Sequence, residues 1–188
     1  SVSSTKPIKA PPFHWFTQHL VVDNKHNPGH QHRLLEASVN SLASTDVGTA
    51  GVPITVVCFP LQSACKAVMM VRPGSATSVR ALPFHPADVS DRVATKEEAK
   101  LSFLQTLRFG QTAVWFEPDM LFVCPSPHAI FADVQASADM AVMNQKLLVS
   151  PFKVGIINHT HFRSPLTGII LMKNRPVVYA MHQKLVDR

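Results

Sequence analysis

A chain of 188 residues suits one domain with a single hydrophobic core. With 46% hydrophobic and 16% charged residues, it has the composition of a globular protein and not of a disordered one. No uninterrupted run of about 20 apolar residues predicts a membrane span. The formal charge of +6 favours contact with phosphate, nucleic acid or acidic protein surfaces, but no arginine-rich block indicates direct nucleic-acid recognition.

The first part of the chain is predicted to contain an extended arm, a strand and a helix. Residues 1–13 include two lysines and three prolines and show no periodic apolar pattern, so they predict an extended arm. We expect residues 14–188 to form a single domain. Within it, HLVV (residues 19–22) predicts a first short strand, and apolar residues at helical spacing predict a helix over residues 31–42.

The next segments predict a buried strand and two shorter elements. VPITVVCF (residues 52–59) is β-branched and continuously apolar, which is typical of a strand covered on both faces of a parallel sheet. SACKAVMMV (63–71) predicts a short helix, and SVRALPF (78–84) predicts another extended piece.

The cysteines are Cys58, Cys65 and Cys124, and their spacing matches no structural zinc site. We predict buried free thiols, with a bridge between Cys58 and Cys65 as the alternative in an oxidising compartment. The chain begins at Ser1 without Met, which we interpret as a processed or trimmed N-terminus that hides the compartment.

A further helix is predicted at residues 95–108. Thr95 and Glu98 have the spacing of a capping box, an apolar stripe follows, and Gly110 stands where a helix C-terminus favours glycine. TAVWFEPDMLFV (112–123) then predicts a strand, a break at Pro118 and a second extended piece.

The remaining elements complete an alternating pattern. PSPHAIFADV (125–134) begins with turn prolines, ADMAVMN (138–144) and TGIILMKN (167–174) predict strands, and RPVVYAMHQKLVDR (175–188) predicts a closing helix. Strands that alternate with helices indicate an α/β fold with a mostly parallel central sheet and flanking helices.

Glu117 and Asp119 follow the predicted buried strand directly. Ligands of open α/β sheets bind beyond the carboxyl ends of the strands, and two acids there could hold a divalent ion such as magnesium or manganese. The alternative is a plain turn in which Asp119 bonds to nearby backbone. The pattern alone leaves both interpretations open.

The order KLSFLQTLRFGQTAVWFEPDMLF, PSPHAIFAD, ADMAVMN and TGIILMKNRP resembles the nucleotide-diphospho-sugar transferases with the GT-A fold, most closely the xylosyl- and arabinosyltransferase-like enzymes. The resemblance covers residues 96–176 best. It implies a GT-A-like, Rossmann-like single domain, a nucleotide-sugar donor, a hydroxyl acceptor and Mn²⁺ or Mg²⁺ as cofactor. A glycosyltransferase of this kind would work in the lumen of the secretory pathway.

The resemblance also implies roles for particular residues. Asp119 would be the metal ligand and Glu117 the first acid of an Asp-x-Asp-like signature, also near the metal. Thr167 and Gly168 would lie beside the donor sugar, and Lys100 would support the nucleotide side. The sequence departs from the family pattern in three ways: Glu replaces the first Asp, Pro118 stands between the acids, and Leu166 precedes the Thr-Gly pair. His182 is a candidate for the additional ligand that family members supply after that pair.

A non-catalytic role is the second hypothesis. The basic balance, the compact length, Ser1 at the start and the Pro-Lys arm also fit a structural subunit of a large assembly. Such an assembly would be an organellar (mitochondrial) ribosome or a respiratory complex, with protein and RNA neighbours. Fold alone does not decide between the two hypotheses.

Overall fold

The computed structural model describes residues 13–21, 28–74, 76–135, 138–142 and 168–187. The strands are β1 (His14–Leu20), β2 (Ile54–Phe59), β3 (Val79–Pro83), β4 (Thr112–Phe116), β5 (Met140–Val142) and β6 (Ile169–Lys173). The α-helices are α1 (Pro28–Ala43), α2 (Asp46–Thr49), α3 (Lys66–Met70), α4 (Arg92–Gln105), α5 (Pro127–Gln135) and α6 (Pro176–Val186). A π-helical turn at Leu61–Cys65 precedes α3. Within these ranges, no helix is both long and apolar enough to cross a membrane.

The six strands form one sheet in the order β3-β2-β1-β4-β6-β5. β3, β2, β1 and β4 are parallel to one another, whereas β6 is antiparallel to both β4 and β5. The chain therefore builds outwards from β1 to β3 and then returns to the other side of β1 as β4. The predicted α/β fold with a mostly parallel sheet is confirmed.

Two hydrophobic layers cover the faces of the sheet, and neighbouring residues of β1 belong to different layers. Trp15 belongs to the layer that includes α1, α3 and α5, and its ring lies 5.6 Å from that of Phe131. Phe16 belongs to the layer that includes α4 and α6, and it stacks on Phe103 with a centroid distance of 4.0 Å. This alternation follows from the two-residue period of a strand.

The first strand begins at His14, earlier than the prediction placed it. Thr17, Gln18 and His19 are polar but buried, so the strand lacks the apolar pattern that would identify it. The Thr17 hydroxyl donates a hydrogen bond to the carbonyl of Phe116, 2.6 Å away on β4. A buried hydroxyl is tolerated there because the neighbouring strand supplies its acceptor.

Helix α4 begins at Arg92, so the predicted capping box at Thr95 is wrong. Asp91 is the N-cap residue, and its carboxylate accepts two backbone N–H groups of the first turn. The Thr95 hydroxyl donates to the carbonyl of Asp91, while Glu98 accepts from a backbone amide outside the helix. Gly110 lies beyond the end of the helix with a φ of 80°, in the turn that leads into β4.

The prediction of free thiols is wrong for two cysteines. The π-helical turn brings Cys65 back to the end of β2, where it forms a disulfide with Cys58 across a Cα–Cα distance of 5.1 Å. Cys124 is free and partly exposed. The disulfide joins the carboxyl end of β2 to the start of α3.

The segment between β4 and α5 does not join the sheet, although an extended piece was predicted there. Its backbone is nevertheless anchored at two points. The amide of Phe122 donates to the hydroxyl of Ser41 on α1 at 3.0 Å. The carboxylate of Asp46 accepts the amides of His128 and Ala129, both at 3.1 Å, in the first turn of α5. Helix α5 itself has no counterpart among the predicted elements.

Candidate functional site

A cleft of about 250 Å³ opens at the carboxyl ends of β1 and β4. These strands flank the position where the strand order reverses, which is where open α/β sheets bind ligands. Side chains from the two strand ends and from α1 and α4 line the cleft. Its polar members are Gln18, His19, Gln31, Arg92, Lys96, Glu117 and Asp119.

Glu117 is the first residue after β4 and is held in place by two interactions. Its amide donates to the carbonyl of Gly168 at 2.9 Å, and its carboxylate pairs with the Lys96 ammonium at 3.3 Å. Burial raises the pKa of the Glu117 carboxyl above its ordinary value, Lys96 opposes this rise, and the charge of Asp119 adds to it. Glu117 is therefore an acid whose charge is already matched by a lysine.

Asp119 is exposed at the mouth of the cleft, in the turn that follows Glu117. A turn was one of the two interpretations of this sequence, and the amide of Met120 indeed donates to the carbonyl of Glu117 at 3.2 Å. The Asp119 carboxylate, however, forms no hydrogen bond or ion pair with any residue that the structure describes. It is thus available to a ligand.

Two basic residues of α4, Arg92 and Lys96, border the same cleft, although no sequence motif marks them as site residues. Arg92 is the first residue of the helix, and Lys96 lies one turn later on the same side. The N-terminus of a 14-residue helix adds its partial positive charge to theirs. Because the helix was predicted to start at Thr95, Arg92 fell outside it.

The end of β1 contributes two further side chains that the sequence analysis missed. Gln18 is buried, and its Oε1 has no hydrogen-bond partner. Burial and, to a lesser degree, the nearby His32 lower the pKa of His19 to about 4, so its imidazole is neutral at pH 7. Both side chains offer uncharged hydrogen-bonding atoms at the inner end of the cleft.

Lys100 and His182 do not line the cleft. Lys100 is only 2% exposed, its Nζ lies 2.7 Å from Oε1 of Glu97, and it sits 4.0 Å from the centroid of the Trp115 ring. His182 is also buried, with Nδ1 2.5 Å from Oε2 of Glu97. Both side chains are therefore engaged inside the protein, outside the lining of the cleft.

The charges of this buried group depend on one another. Burial alone would raise the pKa of Glu97, but the hydrogen bond from His182 and the charge of Lys100 bring it below its ordinary value. Burial lowers the pKa of Lys100, and Glu97 opposes that change. Glu97 is therefore ionised and satisfied by two partners.

Gly168 contacts the acidic turn. Besides accepting the Glu117 amide, it packs so closely that a Cβ atom would lie 3.1 Å from Sδ of Met120. Thr167 and Leu166 lie outside the described residues. No group of three or more His, Cys, Asp or Glu side chains in the described ranges has the arrangement of a metal site.

Comparison with known proteins gives structural matches alone: no model of a protein family and no curated protein sequence matches the chain. One similar structure is the 4-diphosphocytidyl-2C-methyl-D-erythritol synthase of Anaerococcus prevotii, with a TM-score of 0.55, 10% identity and coverage of 96% of this chain and 78% of that one. Another is mouse xyloside xylosyltransferase 1 in its apo form, with a TM-score of 0.52, 9% identity and coverage of 93% and 74%.

The galactosyltransferase LgtC, solved in complex with donor and acceptor sugar analogues, is similar with a TM-score of 0.54 and 12% identity. The match covers 93% of this chain and 64% of the LgtC chain. At such low identity, these likenesses establish the arrangement of the backbone. The chain has a GT-A-like, Rossmann-type α/β fold.

Proposed function

We propose that this chain binds a nucleotide sugar and transfers the sugar to a hydroxyl acceptor with the help of a divalent metal. The observation that carries the proposal is the unpartnered carboxylate of Asp119 opposite Arg92 and Lys96, in a cleft at the reversal point of the sheet. An acid and two bases in one cleft suit a ligand that combines a diphosphate with a cation. The fold similarity to two glycosyltransferases adds support.

The residues present fit Mn²⁺ or Mg²⁺. Both ions prefer carboxylate oxygens and retain positions for phosphate oxygens and water. Asp119 would be the first protein ligand because its carboxylate has no other partner in the described ranges. Glu117 would be the second, once its pairing with Lys96 loosens. When bound, the ion would supply Lewis-acid stabilisation to the departing diphosphate.

The remaining residues would bind and orient the donor. Arg92 and Lys96 would attract the diphosphate, and the neutral imidazole of His19 and the amide of Gln18 would donate to or accept from the nucleoside. Gly168, which accepts the amide of Glu117, would lie beside the donor sugar. The acceptor hydroxyl would then attack the anomeric carbon as the bond to the diphosphate breaks.

The disulfide between Cys58 and Cys65 indicates the compartment in which this activity would take place. Cytosolic thiols are kept reduced, whereas the secretory pathway allows disulfides to persist. The bridge between Cys58 and Cys65 therefore favours the lumen of the secretory pathway. Mass spectrometry of the protein from its native source, with and without prior reduction, would test whether this pair is oxidised.

Calorimetric titration with a panel of nucleotide sugars, UDP-xylose and UDP-arabinose included, tests the proposal. We expect binding that requires Mn²⁺ or Mg²⁺ and that falls by at least about tenfold in Asp119→Asn, since one charged ligand contact is lost. Asp139→Asn is the matched control, because that carboxylate pairs with Lys173 at 3.6 Å and lies outside the cleft. Equal affinities for wild type and Asp119→Asn, or no binding by either, would contradict the proposal.

The assembly-subunit hypothesis is the second proposal. Large apolar side chains are exposed at several places in the described ranges, among them Met70 at 73%, Phe109 at 71% and Val123 at 95% exposure. Neighbouring subunits would cover such side chains. Size exclusion of native extract separates the two ideas, because elution at about 20 kDa without a partner contradicts a role as an assembly subunit.

A further inference from the structure

Two lysines of α4, Lys96 and Lys100, pair with different acids. Lys96 and Lys100 are one helical turn apart, and the charge of each lowers the pKa of the Glu117 carboxyl. Only Lys96 reaches Glu117, at 3.3 Å. Lys100 instead lies beneath the cleft, bound to Glu97 at 2.7 Å and placed over the ring of Trp115.

The carboxylate of Glu97, which binds Lys100, is also bound by the last helix, α6. Its Oε1 accepts from Lys100, and its Oε2 accepts from Nδ1 of His182 on α6. With both oxygens engaged by directional partners, the Glu97 side chain has one orientation. A buried ammonium requires such a fixed acid, because burial without one is costly. Lys100 therefore has two possible acids, and Glu97 holds it.

We infer that Glu97 and His182 are positioning residues that retain Lys100 beneath the cleft, so that Lys96 alone pairs with Glu117. Without them, Lys100 would turn towards Glu117 and join Lys96 there. A second lysine would then lie beside the acidic pair and compete with the cation there. The effect on ligand binding rests on the proposed function, whereas the retention of Lys100 does not.

The indole N–H signals in ¹H–¹⁵N NMR spectra test the retention directly. The chain has two tryptophans, and Trp15 lies in the opposite hydrophobic layer from Trp115. We expect Glu97→Gln to shift the Trp115 signal and leave that of Trp15 in place, with Glu98→Gln as the matched control that shifts neither. His182→Phe should reproduce the shift, and His182→Asn should restore the wild-type position because its amide can donate to Glu97. An unmoved Trp115 signal in Glu97→Gln would overturn the inference.

A double-mutant cycle tests the consequence for the cleft, with UDP and Mn²⁺ as the probe. In the wild type, Lys96→Ala should weaken UDP binding about fivefold, whereas in the Glu97→Gln background it should weaken binding less than about twofold, since Lys100 then substitutes for Lys96. A purely structural role for Glu97 would leave the two factors equal and would refute the positioning role. If UDP binds to none of the four proteins, the proposed function fails, and the Trp115 signals still decide whether Glu97 retains Lys100.

Discussion

Replacing Lys100 with Met tests the energetics of the buried charged group. Removing one partner of a buried ion pair costs about 3 to 5 kcal/mol, since the remaining charge is left uncompensated. Glu97 would keep its hydrogen bond from His182, and Met can fill the space against Trp115, so we expect about 3 kcal/mol, at the lower end of that range. For a chain of 188 residues, this corresponds to a fall in Tm of about 6 to 12 °C.

Urea unfolding followed by far-UV circular dichroism measures this loss as a lower midpoint at an unchanged slope. The double variant Lys100→Met with Glu97→Gln is the informative control. It removes both charges, and we expect it to recover more than half of the lost stability because no uncompensated ion remains. A loss below about 1 kcal/mol in the single variant, or a double variant less stable than the single one, would refute this account of the group.

Three further outcomes follow from the geometry. The pKa of Glu97 is lower in the folded chain than its ordinary value of 4.5. The ionised Glu97 therefore stabilises the fold above about pH 4.5, and this stabilisation is lost as the pH falls through the folded pKa. The urea midpoint of the wild type should fall over that pH range, and the fall should be absent in Glu97→Gln. Lys96→Met should raise the pKa of Glu117 further, since burial then acts with less opposition, and a ¹³C carboxyl NMR titration that shows a fall would contradict this. Gly48→Ala should destabilise the protein by more than about 3 kcal/mol, because its Cβ would overlap the backbone oxygen of Ala43; an unchanged Tm would exclude that contact.

The sequence identified the elements whose signals are local. The apolar run that forms β2 and the helical spacing of α1 depend on neighbouring residues, and both elements were predicted close to their observed bounds. β1 was misplaced because the acceptor for Thr17 is the carbonyl of Phe116 on another strand. No local pattern reveals a hydrogen bond between residues so distant in the chain.

The candidate site shows the same division. Glu117 and Asp119 follow a strand that its own residues identify, so their place at the sheet edge was predictable. Arg92 and Lys96 reach the cleft because α4 crosses over the sheet between β3 and β4, a placement set by tertiary packing. Lys100 was assigned to the nucleotide side by resemblance, whereas its buried position depends on Glu97 and on the last helix.

The segment that carries Asp119 is held at both ends and in the middle. Gly168 fixes the amide of Glu117, Ser41 fixes that of Phe122, and Asp46 fixes the start of α5. Because the backbone of this segment is already ordered, a ligand that binds the Asp119 carboxylate should lose little binding free energy to ordering the segment. Slow amide hydrogen exchange at Phe122 would accompany this rigidity, and the shape of the acidic turn would be the same before and after a ligand arrives.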